Sequence, residues 1–322
     1  MRTPLEFVDT VLRDVEAHLR GTKRTATRVR SLLTQLAGAE VKGIKLPEAM
    51  APHWKALLVN TLEDLVQHQD RTVVLFWDET PLMLHNVRKS SGEAAAMEVL
   101  DALRSLRQMH PRLRMVFAGS IGLHNVVTSL RRAGYANDPT NDMDTVDVPP
   151  LSTDHARELA RGLLRGERIQ VGDLAATAAA IAAAVDGVPY FIHHVIDQIA
   201  QRGGAADVTA VSEIVNQSLT DPQDRWHLRY YRERIDTYYN PDERPFALAL
   251  LDVLSTTDQP LPFEPLFNLL KSRIVTEDSE TARSVLALLQ RDHYLAQQPD
   301  GKYRFRFPLI QRSWRLQRGL AP

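Results

Sequence analysis

The sequence predicts an α/β fold built on a parallel sheet, followed by an all-helical stretch and a closing helix-and-hairpin segment. Three observations carry this expectation. The run Thr72–Trp77 is continuously β-branched and aromatic and ends in the adjacent carboxylates Asp78 and Glu79, the pattern of a parallel strand covered on both faces. A second apolar run, Leu113–Ala118, lands on Gly119-Ser120, and a helix-patterned segment, Glu93–Met109, lies between the two runs. From Pro149 to about residue 220 only helical periodicity remains. Strand, helix, strand in that order implies a crossover and hence parallel pairing.

Taken in order, Thr3-Pro4-Leu5-Glu6 is a capping box with proline at the first helical position, and Leu5, Val8, Val11, Leu12, Val15 and Leu19 make a stripe at helical spacing. A second helix is expected over Thr27–Leu36, an extended stretch or short hairpin over Gly38–Pro47, and a third helix over Pro47–Gln67 with Trp54, Leu57, Leu58, Leu62 and Leu65 inward. After Glu79 the polar segment Asn86–Gly92 reads as a mobile loop. Pro111 stops the helix Glu93–Met109, and a helix over Leu123–Arg132 follows the second strand. A third short strand is expected at Thr145–Val148.

Beyond Pro149, Ser152 caps a helix Asp154–Leu164, an alanine-rich helix spans Leu174–Val185, and Gly187-Val188-Pro189 breaks the chain before a helix Tyr190–Gln201. One more helix covers Val208–Leu219. Arg225–Arg244 is rich in aromatic and basic residues, with a turn at Asn240-Pro241 that reads as a boundary. The last stretch gives three helices, Phe246–Leu254, Phe263–Lys271 and Ser279–Asp292. A hairpin tipped at Asp300-Gly301 then joins Tyr294–Gln297 to Tyr303–Phe307. Three helices and a hairpin read as a winged helix. The expected domains are 1–150, 151–240 and 241–322.

With 322 residues and a formal net charge of −1, the chain has material for two or three domains and no composition-driven basic face. Cysteine is absent, which excludes a disulfide framework and thiolate-bound metal. No apolar run approaches the ~18 residues of a membrane span, and the first residues lack a signal-like apolar core. A soluble, cytoplasmic protein is the expectation.

In open α/β sheets ligands sit just beyond the carboxyl ends of the strands, where Asp78, Glu79 and Ser120 fall. Each has a plainer reading: an acidic helix start for the carboxylates, a helix N-cap for Ser120. Arg131 and Arg132 close a helix, where positive charge complements the dipole. Gly187 and Pro189 read as a helix stop and restart. The adjacent His193 and His194 point to different helix faces and make a poor metal pair. On the C-terminal helix and hairpin, Arg283, Arg291, Lys302, Arg304 and Arg306 offer a nucleic-acid face, opposed by Glu277, Asp278 and Glu280 at the end that would enter a groove.

Together these marks resemble P-loop ATPases of the archaeal-ATPase type, within the signal-transducing (STAND) and AAA+-like group. Thr72–Glu79 resembles a Walker B segment and Leu113–Ser120 a sensor 1 strand. Pro149-Pro150-Leu151-Ser152 resembles the opening of the family's helical lid, and Gly187-Val188-Pro189-Tyr190-Phe191 its Gly-x-Pro-aromatic motif. Phe305–Ile310 with Trp314 resembles the end of its winged helix. The resemblance covers about residues 65–315. It implies a P-loop-NTPase-like sheet, ATP or ADP with Mg²⁺ as ligand, and Asp78 as metal ligand. It further implies Glu79 as base, Ser120 as sensor, Arg131 or Arg132 as an arginine finger, and Gly187 and Pro189 as lid contacts to the nucleotide.

One departure is large. No Gly-x-x-x-x-Gly-Lys-Ser/Thr occurs in the 322 residues, and Gly301-Lys302, the single Gly-Lys pair, lies in the hairpin. In the family that loop precedes a segment like Arg2–Phe7. The resemblance therefore implies a sheet lacking its first strands, with the missing first strand belonging between Leu113–Ala118 and Thr145–Val148. Three functions stay open. The first is an ATP-binding switch-type ATPase core that does not hydrolyse ATP without the loop, acting on a protein partner or on itself. The second is a nucleotide-free pseudo-ATPase scaffold. The third is a DNA-binding protein acting through the winged helix.

Overall fold

A computed structural model of the chain describes residues 1–18, 54–67, 69–120 and 122–320. The expected helix at 27–36, the stretch 38–47 and the first turns of the helix expected from Pro47 lie outside the described residues. Two compact units emerge, Met1–Thr145 and Val146–Pro322, each with its own core.

The first unit opens with α1 (Pro4–His18), started by the Thr3 hydroxyl, which accepts the Glu6 N–H at 3.2 Å. Phe7, Val8, Val11, Leu12 and Val15 are its buried stripe. Helix α2 (Trp54–Gln67) buries Leu57, Leu58, Leu62, Leu65 and Val66 in the same core. Strands β1 (Val73–Trp77) and β2 (Leu113–Phe117) pair in parallel, Val73 opposite Leu113 and Trp77 opposite Phe117. The crossover between them consists of α3 (Thr80–Ser91) and α4 (Glu93–Met109), and α5 (Leu123–Arg132) follows β2. Trp77 stacks on Phe117 with centroids 5.6 Å apart and meets the edge of Phe7 at 5.4 Å, joining α1 to one sheet face. Arg107 on α4 reaches the carboxylate of Asp142 at 2.8 Å and the Pro139 carbonyl at 2.8 Å, so the segment after α5 is fastened to the crossover. That guanidinium holds the Asp142 carboxyl below the usual range.

Three expectations are corrected here. The segment Asn86–Gly92 is not a loop: α3 runs through Ser91, because Thr80, Met83, Leu84 and Val87 recur at helical spacing and are buried while the polar residues face outward. Gly92, at φ 90°, supplies the break. Among the described residues, the strands are covered on one face only. Val73, Leu75 and Trp77 pack on the core, whereas Val74 (43% exposed), Phe76 (76%) and Val116 (43%) lie open. The third strand at Thr145–Val148 does not form. The stretch has no strand neighbour among the described residues, and Val146 and Val148 are exposed, so its β-forming side chains have nothing to pair with.

The second unit begins with a strap, Val146–Leu151, and α6 (Thr153–Gly166), capped by the Ser152 hydroxyl. Next come the two-residue strand β3 (Gln170–Val171), α7 (Leu174–Ala184), α8 (Pro189–Arg202), β4 (Ala205–Ala206, parallel to β3), α9 (Val208–Thr220) and α10 (Tyr230–Tyr238). Asp173 and Asp207 cap α7 and α9 through the N–H of Ala176 and Ala210. Helices α11 (Arg244–Ser255), α12 (Phe263–Lys271) and α13 (Ser279–Arg291) precede the antiparallel pair β5 (Leu295–Gln297) and β6 (Tyr303–Phe305), and α14 (Pro308–Gln317) follows. The hairpin turns at Gly301, φ 83°, whose N–H donates to the Gln298 carbonyl, and Leu261 bridges to Tyr303 as a third extended residue. One continuous core runs from Ala156 to Trp314. Within it the carboxylate of Asp252 accepts from Trp314 Nε1 at 2.8 Å and from Arg318 at 2.7 and 3.0 Å, holding α14 on α11.

Candidate functional site

The carboxyl edge of the β1–β2 pair brings Asp78, Glu79 and Ser120 together. The ladder continues past the strands, with Ala118 N–H donating to Trp77 O at 2.9 Å and Thr80 N–H donating to Ala118 O at 3.1 Å. The Thr80 hydroxyl turns back to Trp77 O at 3.0 Å. These bonds force a sharp exit from β1, and Glu79 absorbs it in the left-handed region, φ 52°, ψ 29°. A non-glycine residue there is uncommon, and such strain collects at functional turns. Gly119 allows the close crossing: a Cβ at that position would lie 2.7 Å from Pro81 Cδ.

The left-handed turn aims the Glu79 carboxylate at the second strand's loop. Its Oε2 accepts the Ser120 hydroxyl at 2.9 Å, and its Oε1 accepts the Ser120 N–H at 3.2 Å. Asp78 stays exposed, with Oδ1 accepting the Glu79 N–H at 2.9 Å. A metal held by protein alone is not supported, since no cluster of three or more His, Cys, Asp or Glu with metal-binding geometry occurs among the described residues. The exposed Asp78 carboxylate fits the single protein oxygen that Mg²⁺ takes when phosphates and water complete its shell. Phosphates themselves find no Gly-rich cradle among the described residues, and the Ser120 N–H at the edge is already given to Glu79.

Arg131 and Arg132 sit at the far end of α5, about 14 Å along its axis from the Ser120 end at 1.5 Å per residue. Arg131 is paired with Asp138 at 2.6 Å, and both arginines are exposed. The structure thus brings three of the candidate residues together and leaves these two a helix-length away. Gly187 and Pro189 belong to the second unit. Gly187 is buried at φ 67°, its N–H donates to Ala182 O, and Pro189 begins α8. Sequence reasoning missed Asp186, a left-handed residue (φ 54°) whose carboxylate accepts the N–H of Leu309 at 2.8 Å. The only signal was an Asp-Gly pair at a helix end. On α8, burial lowers the His194 imidazole below its usual value, and the ring lies 4.4 Å from that of Tyr190.

No protein-family model matches the chain, and no curated protein matches it in sequence. Among solved structures, the chain is similar to the Walker-type ATPase PABY2304 of Pyrococcus abyssi. The TM-score is 0.59 at 13% identity, over 95% of this chain and 78% of that one. The chain has a P-loop-ATPase-like fold. At that identity the likeness concerns the fold alone. No helix among the described residues is long and apolar enough to cross a membrane.

Proposed function

We propose that the chain is the core of a nucleotide-dependent switch of the STAND or AAA+-like kind, with residues 1–150 as the α/β core, 151–240 as the lid and 241–322 as a winged helix. The observation that carries this reading is the junction of Glu79 and Ser120 at the carboxyl edge of a parallel pair, on a fold similar to a Walker-type ATPase. Bound Mg²⁺-ATP would supply the phosphoryl group and its charge, with Asp78 as the protein's ligand to the metal. Glu79 is tied twice to Ser120, so it must leave that serine before it can orient or deprotonate a water. Phosphoryl transfer depends on positioning and charge stabilisation, and none of the 322 residues supplies the loop that provides most of both. The chain by itself therefore binds nucleotide weakly and does not turn it over.

Calorimetric titration of the full chain with Mg-ATP and Mg-ADP tests the reading. Binding in the ~millimolar range is expected from loss of several charge-assisted bonds, and it should vanish on chelating Mg²⁺ and in Asp78→Asn. No heat at any accessible concentration would favour the nucleotide-free scaffold, a reading to which the open apolar face at Val74, Phe76 and Val116 lends support. Against the DNA reading, most of the basic residues of the helix and hairpin are engaged. Arg283 reaches Glu264 at 3.6 Å and Glu280 at 3.5 Å, Lys302 reaches Asp300 at 2.7 Å, and Arg306 reaches Asp147 at 3.1 Å.

A further inference from the structure

Three segments far apart in sequence meet in the second unit and fasten one another in a closed circuit. The strap is tied to the turn between α7 and α8, since Leu151 N–H donates to Gly187 O at 3.1 Å. That turn is tied to the β6–α14 junction, since Asp186 Oδ2 accepts the Leu309 N–H at 2.8 Å. The junction is tied back to the strap, since Arg306 Nη2 lies 3.1 and 3.3 Å from the two oxygens of Asp147. His293 also flanks this last tie: its Nδ1 contacts Arg306 and its Nε2 lies 3.6 Å from Asp147.

The middle tie differs in kind from the others. Asp186 is only partly exposed and takes a backbone conformation that L residues rarely adopt, which is what points its carboxylate at the first turn of α14. A carboxylate is favoured at a helix N-terminus, where N–H groups are unpaired. Arg312, on α14, attracts it as well, and Arg312 is itself held by Asn216 Oδ1 at 2.8 Å. These two attractions are outweighed by burial, which pushes the Asp186 carboxyl up to about 6.

We propose that Asp186 is the positioning residue of this clasp: it sets the Gly187–Pro189 turn against the β6–α14 junction, and taking up a proton tightens the hold. A protonated carboxyl still accepts the Leu309 N–H through its carbonyl oxygen and no longer keeps a charge away from water. The inference goes beyond the nucleotide reading and does not rest on it.

The test uses the full chain without nucleotide, so its failure would leave that reading untouched. Amide exchange, corrected for its intrinsic pH dependence, is measured at Leu309 and Leu151 between about pH 7.5 and about pH 5.0. In the unaltered chain, protection at Leu309 should rise about tenfold on acidification, the factor for a carboxyl moving between 3.8 when open and about 6 when closed. Asp186→Asn should hold Leu309 at the acid level throughout and flatten the profile, and Asp186→Ala should lose the protection at both pH values. A flat profile in the unaltered chain, or an Asp186→Asn profile that still rises tenfold, overturns the proposal. So does undiminished Leu309 protection in Asp186→Ala. Should the alanine variant not fold, the asparagine profile decides alone.

Discussion

Substituting Gly187 with alanine separates two costs that the structure superimposes at one position. The backbone there has φ 67°, which for an L residue costs roughly 1 kcal/mol or somewhat more. A Cβ would also lie 2.8 Å from Leu151 O. That atom is backbone, so no side-chain rotation can relieve the contact. Relief requires drawing the strap away, which breaks the Leu151 N–H bond to Gly187 O at 3.1 Å, a loss of ~1 kcal/mol, and leaves residual strain. With that residual overlap taken as ~1 kcal/mol, the low end for overpacking, the sum is about 3 kcal/mol. Gly319 is the matched control, at φ 60° with nothing within 4 Å of its Cβ position, so Gly319→Ala should cost only the backbone share of about 1 kcal/mol. With a urea slope of about 2 kcal/mol per molar, the two variants should differ in midpoint by about 1 M. Trp226 and Trp314 lie in the second unit and Trp54 and Trp77 in the first, so ¹⁹F NMR of 5-fluorotryptophan follows each unit separately. Equal midpoints for the two variants, or a Gly187→Ala loss confined to the first unit's signals, would refute the close-approach argument.

Further outcomes follow from the same geometry. The full chain should hydrolyse ATP no faster than its Glu79→Gln variant in a steady-state phosphate assay; turnover above that control would place the phosphate site elsewhere. Phe76→Ser, at a side chain 76% exposed, should change stability by less than ~0.5 kcal/mol. Trp77→Ala, which removes the stack on Phe117 and the edge contact to Phe7, should cost about 3 kcal/mol; comparable denaturation midpoints for the two would reverse the assignment of faces. The Asp186 carboxyl has a folded value raised to about 6 over an ordinary 3.8, so the folded chain binds more protons between those values. The second unit should therefore gain stability as pH falls from about 7 towards 4, by at most ~3 kcal/mol and less after allowance for solvent access. Thermal melts of Asp186→Asn should lack that slope. Asp252→Ala strands Trp314 Nε1 and frees Arg318, and should cost about 3 kcal/mol in the second unit's unfolding; a loss under 1 kcal/mol would contradict the tie between α11 and α14.

What was legible in the sequence follows from which interactions are local. Helices α4, α5 and α12 fall where periodicity and flanking Pro, Gly or capping residues put them, because those signals act within a few residues. The hairpin tipped at Asp300-Gly301 is legible for the same reason. Segment 86–92 misled because its composition is polar, whereas the helix is decided by the few buried positions Met83, Leu84 and Val87. Thr145–Val148 misled in the opposite way. Its β-branched residues express a propensity that only a neighbouring strand can convert into a ladder, and none of the described residues provides one.

Cover on both faces is likewise not a property of a strand's own sequence. Phe76 and Trp77 are adjacent aromatics in an unbroken apolar run, yet one is open and the other sits between Phe7 and Phe117. The run shows that both side chains suit burial; which of them packs on the core depends on helices that arrive from elsewhere in the chain. The same division holds at the candidate site. That Asp78, Glu79 and Ser120 share an edge follows from two parallel strands each ending in a polar step, which sequence can show. That Glu79 turns left-handed and closes on Ser120 follows from Gly119 crossing Pro81 within a distance no Cβ would permit. In the sequence Gly119 shows only where the second apolar run ends. Its distinct contribution is to let two loops approach until a carboxylate from one takes both donors of the other. For that reason a bulkier residue at 119 should release Glu79 from Ser120 without touching either one.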